Sequence, residues 1–171
     1  MIDFGFVIQK LNNQDRLNTL TSLDWSTAYL LVTDLYSDAV WTVCTSNNQP
    51  PIAWLNKLLT KFRNKGENCA LVDLGGELGK HPEVTLLLEK HGYNIYPMSP
   101  DASYKNAPGE RPHQNIANTR RTLLEGANLP EFYWNHTLYH YTDVHRYVTH
   151  CCRDKTPYEL ISGKHPDLSK L

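Results

Sequence analysis

A chain of 171 residues with 40% apolar and 20% charged side chains is one domain long and can bury a core, which excludes a disordered segment. Its net charge of −1 excludes the strongly basic composition that by itself marks a nucleic-acid binder, so any DNA affinity must come from local clustering. No apolar run approaches the roughly 18 residues of a membrane span and no leader pattern opens the chain. Cys44, Cys69, Cys151 and Cys152 have the spacing of neither a disulfide scaffold nor a paired-cysteine zinc site, so an intracellular setting, nuclear or cytoplasmic, is expected.

In chain order, Ile2 to Gln9 is short and apolar and reads as a strand, followed by a polar run from Asn12 to Asn18 that reads as a loop. Ala28 to Thr33 and Ala39 to Thr45, rich in Val, Leu, Tyr and Trp, read as two strands joined by a turn at Asp34 to Asp38. Pro50 and Pro51 open an amphipathic helix, with Ile52, Leu55, Leu58, Leu59 and Phe62 recurring at three and four residues. Cys69 to Val72 is a buried-type strand ending at Asp73, and Gly75 and Gly76 read as loop glycines. A short helix from Pro82 to Lys90 and a strand at Tyr93 to Tyr96 follow. Pro97 to Pro108 reads as a loop, with Gly109 a loop glycine. Gly109 to Leu124 reads as a helix closed by Gly126 and Pro130, and a last helix carries Tyr133, Trp134, Leu138, Tyr141, Val144 and Val148. The pattern is that of an α/β domain with a mixed sheet.

Three carboxylates lie where rigid elements can converge: Asp3 in the first strand, Asp73 at the end of the fourth, and Glu110 at the start of a helix. A pair of divalent ions about 4 Å apart needs acidic oxygens reaching inward from separate elements, to activate an attacking oxygen and stabilise a leaving one at phosphorus. Taken singly, each is more simply an exposed side chain or a helix cap.

The words around them carry more. Ile2-Asp3-Phe4-Gly5-Phe6-Val7 resembles the first-strand segment of copia-type retrotransposon integrases, and Asp73-Leu74-Gly75-Gly76-Glu77-Leu78 is similar to that family's second-carboxylate element. Gly109-Glu110-Arg111 is similar to the segment bearing the third, and 36 residues separate Asp73 from Glu110, close to the family's interval. Tyr29 to Asp34 with Tyr36, Ser37 and Trp41, Arg121 to Leu124 through Leu129-Pro130 and Tyr133-Trp134, and Thr156-Pro157-Tyr158-Glu159-Leu160 through Pro166-Asp167-Leu168 extend the resemblance over nearly the whole chain. Leu74, Asp38 and Pro112-His113 depart from the usual residues, which bears on DNA contacts more than on the metal site.

The resemblance implies a ribonuclease-H-like, mixed five-stranded sheet flanked by helices, with residues 1–171 forming a catalytic core that lacks the family's N-terminal zinc domain and C-terminal DNA-binding region. It implies Asp3, Asp73 and Glu110 as catalytic residues holding two Mg²⁺ or Mn²⁺ ions. The reactions implied are 3′-end processing and strand transfer of retrotransposon DNA into target DNA, with DNA and further copies of this chain, as a homo-oligomer, the expected partners. Lys105, Arg111, Arg120 and Arg121 would contact phosphates, in a basic segment that also holds His113; an exposed helix face is the simpler reading of that segment. An inactive relic that keeps the fold and a nuclease acting on RNA:DNA hybrids are the alternatives.

The first ligand is the least constrained. The 70 positions from Asp3 to Asp73 require an extended hairpin through Asn12 to Thr21, and Asp24 and Asp34 are rivals by spacing. Asp3 is preferred for its surrounding word, while Asp24 before Trp25-Ser26-Thr27 reads as a turn residue. His136 and His140, at i and i+4 with Cys151 and Cys152 downstream, have zinc-like spacing but no determined third ligand, and read as a helix face.

Overall fold

A computed structural model describes residues 1–10, 17–62, 68–73, 77–98, 103–150 and 153–170; residues 9, 10, 17, 73, 77, 97, 98, 103–109 and 170 are described in backbone only. The first apolar run forms two strands, not one: β1 (Ile2–Phe6) and, after a break at Val7, β2 (Ile8–Lys10). The break lets the chain leave the main sheet, because β2 pairs antiparallel with β3 (Leu17–Thr19) in a separate hairpin. That hairpin occupies the interval in which a fold-back was required.

β4 (Ala28–Thr33) pairs antiparallel with both β1 and β5 (Val40–Thr45), and every residue of β4 is buried. The turn between β4 and β5 is built by Asp34, whose carboxylate accepts from the Ser37 backbone N–H at 3.1 Å and from the Ser37 hydroxyl, while Asp38 takes the left-handed conformation at φ 61°. α1 (Ile52–Lys61) leads into β6 (Asn68–Asp73), which lies parallel to β1 with Ile2 opposite Val72. α2 (Glu77–Lys80) and α3 (Pro82–Lys90) lead to β7 (Tyr93–Met98), parallel to β6. The sheet order is β5-β4-β1-β6-β7, a five-stranded mixed sheet with β1 in the middle. Pro97 falls inside β7, past the expected end of that strand; β7 is an edge strand, where a missing N–H is tolerated.

The largest difference from expectation is α4 (Ser103–Gly126), which extends back through Ser103 to Pro108 and includes Gly109, all read from the sequence as loop. Pro108 and Pro112 each remove one helical N–H but do not end the helix, because its continuation buries Ile116 and Leu124, Ile116 against the sheet, and packs on α5 (Trp134–Tyr147). α6 (Pro157–Ser162) starts at a capping box: Thr156 and Glu159 exchange side-chain-to-backbone hydrogen bonds of 2.8 and 3.1 Å, with Pro157 in the first turn and Gly163 left-handed at the end.

The pleat sorts β1 onto two layers. Ile2 and Phe4 belong to a dry core with Leu30, Leu55, Leu59, Val84 and Leu88, under α1 and α3. Val7 joins Tyr29, Leu31, Ile116, Trp134 and Leu138, under α4 and α5. Asp3 and Gly5 share the parity of Val7, so they face α4. No helix among the described residues is long and apolar enough to cross a membrane.

Candidate functional site

β1 and β6 run side by side in parallel, and one residue beyond the Ile2–Val72 pair they carry Asp3 and Asp73. The two candidate ligands therefore stand on adjacent strands at one level of the sheet; the side chain of Asp73 lies outside the described residues, as do residues 74–76. Glu110 is exposed on α4, one helical turn before His113. Side chains three residues apart share a helix face, at about 4.5 Å of rise.

Asp3 is held by its surroundings. One carboxylate oxygen, Oδ1, accepts from the backbone N–H of Phe4 at 2.8 Å, and the other, Oδ2, lies 3.3 Å from Nε2 of His113. The opposite ring nitrogen of His113, Nδ1, is 2.9 Å from the hydroxyl of Tyr29 on β4. Burial and then the negative charge of Asp3 push the Tyr29 hydroxyl well above the usual phenol range, so it stays protonated. Tyr29 reaches across the sheet because its partner in register is Gly5: a Cβ at position 5 would come within 2.1 Å of the ring carbon Cζ. Gly5 is thus the surface on which the Tyr29 ring lies.

His113 was grouped with a basic face, and the structure corrects this: it turns inward, to Asp3 and Tyr29. Its signal in the sequence was indirect. A glycine inside a short apolar strand marks close approach by another group, and here Gly5 admits the ring that anchors His113.

The rivals for the first ligand are engaged elsewhere. Asp24 accepts from the Ser22 hydroxyl and, at 3.4 Å, from the Ser26 backbone N–H. Against desolvation that raises it, the hydrogen bonds of Ser22, Ser26 and Asn135 hold its carboxyl below the usual range. Asp34 is occupied by its own turn. Of the basic residues, Arg111 and Arg121 are exposed, whereas the Arg120 side chain is only 15% exposed and lies 3.7 Å from Glu131 at the start of the next helical segment. The side chain of Lys105 lies outside the described residues.

Among the described residues no three His, Cys, Asp or Glu side chains form a metal cluster. His136 and His140 are exposed on α5, and Cys151 and Cys152 lie outside the described residues. Asp3 and His113 approach one another as a pair. Its chemistry fits a divalent ion: a carboxylate with one oxygen free of conventional hydrogen bonds, beside a strand end and a helix face that carry two further carboxylates. Scans of the chain against protein-family models and against curated protein sequences find no match.

Proposed function

We propose that the chain is a ribonuclease-H-like polynucleotidyl transferase core of the copia-type integrase kind, acting on retrotransposon DNA ends and target DNA. The observation that carries the reading is the strand order β5-β4-β1-β6-β7, with Asp3 on the central strand, Asp73 on its parallel neighbour and Glu110 on the helix that Asp3 faces. On this reading the three carboxylates of the family-like words would meet at one end of that sheet.

Asp3, Asp73 and Glu110 would hold Mg²⁺ or Mn²⁺, which when bound supplies charge stabilisation and activation of oxygen at phosphorus. The reaction class is in-line displacement at a phosphodiester, by water at the DNA end and then by the freed 3′ hydroxyl on target DNA. The residues of the chain bind and orient: the Phe4 N–H fixes one oxygen of Asp3, β1 and β6 fix the spacing of the two aspartates along the sheet, and Arg111 and Arg121 are free to meet phosphates.

The test is a strand-transfer assay with labelled long-terminal-repeat ends, run beside cleavage of an RNA:DNA hybrid, in Mg²⁺ and in Mn²⁺. Joined products that vanish in Asp73→Asn and in Glu110→Gln are expected. Hybrid cleavage without joining would make the protein a nuclease of the same fold, and neither reaction in a chain that still binds metal would make it a relic.

A further inference from the structure

Two buried imidazole nitrogens among the described residues have no hydrogen-bond partner, His81 Nδ1 and His113 Nε2, and only the second approaches a carboxylate. It lies 3.3 Å from Asp3 Oδ2, yet the contact does not have hydrogen-bond geometry. Whether Nε2 carries a hydrogen or a lone pair, that direction lies in the ring plane, and here it passes beside the oxygen instead of meeting it. A buried polar atom left without a partner costs about 1–3 kcal/mol, so the arrangement calls for a third atom that both groups can address.

The separation suits such an atom. Two ligands each about 2.1 Å from one ion are about 3.0 Å apart at a right angle and about 3.4 Å apart at the tetrahedral angle. The ring is also braced as ligating histidines are, by a hydrogen bond at its other nitrogen, here to the Tyr29 hydroxyl at 2.9 Å. With Nε2 free to donate its lone pair, Nδ1 carries the ring hydrogen and donates a hydrogen bond to the Tyr29 hydroxyl oxygen. Glu110 stands one turn earlier on the same helix, giving a Glu-x-x-His pair on α4.

We propose that His113 is itself a metal ligand, converging with Asp3 on one divalent ion, so that the site has mixed nitrogen and oxygen donors and selects Mn²⁺ or another first-row transition metal over Mg²⁺. This rests on the assignment of Asp3 as a ligand under the proposed function. Imidazole suits transition metals, while Mg²⁺ favours an all-oxygen shell that includes several waters. The positioning of the ring depends on Gly5 and Tyr29.

The experiment is pulsed electron paramagnetic resonance of Mn²⁺ bound to the unmodified chain, with calorimetric titration of Mn²⁺ and Mg²⁺ into the chain and into His113→Gln. A nitrogen-14 coupling to Mn²⁺ is expected, absent in His113→Gln, with Mn²⁺ affinity about 10- to 100-fold weaker in that variant and Mg²⁺ affinity within about threefold. Mn²⁺ bound without nitrogen coupling, or a coupling that survives in His113→Gln, would overturn the role of His113 and leave the carboxylate site standing. No divalent binding to the unmodified chain would overturn both. The spectrum of the unmodified chain decides the ligand question even if His113→Gln fails to fold.

Discussion

The two faces of the sheet receive alternate residues of the same short strand, yet are built on different terms. Under α1 and α3, Ile2 and Phe4 pack into an apolar cluster in which Leu55 and Leu88 are fully buried. Under α4 and α5, Asp3 and Gly5 lie beneath a histidine and a tyrosine whose polar atoms run from β4 to the strand centre. The first face tolerates imprecision at the cost of stability alone. The second ties stability to the placement of one carboxylate, so a change there should be read in two measurements at once.

The largest effect is expected on the dry face. Leu88→Ala empties space around a fully buried side chain and should cost about 3–4 kcal/mol in denaturant unfolding, with Mn²⁺ affinity of the folded chain unchanged. A matching loss of metal affinity would mean the faces are not independent. Next comes Gly5→Ala, whose added methyl meets the Tyr29 ring and should cost about 2–3 kcal/mol. Unlike Leu88→Ala it should also weaken metal binding, because the ring that braces His113 must move.

A third test uses pH. Burial, followed by the neighbouring His150, lowers His145 below the usual histidine value, against the Asp38 carbonyl and carboxylate that raise it. The fold disfavours the imidazolium, so the unfolded chain binds more protons as pH falls through the usual histidine range. Stability should be fully present above the usual histidine range and fall as pH drops through it. Denaturation midpoints that rise on acidification would contradict this. The smallest effect separates two adjacent arginines. Arg121→Ala should lower the salt slope of DNA binding by about 0.9, the value of one phosphate contact. Arg120→Ala, already turned to Glu131, should leave the slope unchanged and alter stability by less than about 1 kcal/mol.

Elements whose residues speak locally were legible in the sequence. α3 was expected at Pro82 to Lys90 and spans those residues, and the Asp34 turn, β4 and β5 follow from strand-forming composition and turn chemistry. The mixed sheet with helices on both faces was also expected. What escaped was set by tertiary packing. Pro108, Gly109 and Pro112 oppose helix on propensity, but burial of Ile116 and Leu124 and packing on α5 sustain α4 through them. β1 and β2 read as one run because the split at Val7 changes which sheet is joined, not which residues are apolar. At the site, the candidate carboxylates were visible by their flanking words, while His113 was hidden: its partners Asp3 and Tyr29 are 110 and 84 positions away, and no periodicity links them.

The Tyr29 ring lying on Gly5 makes positions 5 and 29 one inherited unit. Any side chain at 5 displaces the ring, and without the ring the glycine loses the neighbour that occupies its missing side chain, so the harm of each substitution should depend on the residue at the other position. Lineages descended from this chain should then change the two together: sequences that gain a side chain at 5 should already have lost the tyrosine at 29, and those that keep the tyrosine should keep the glycine.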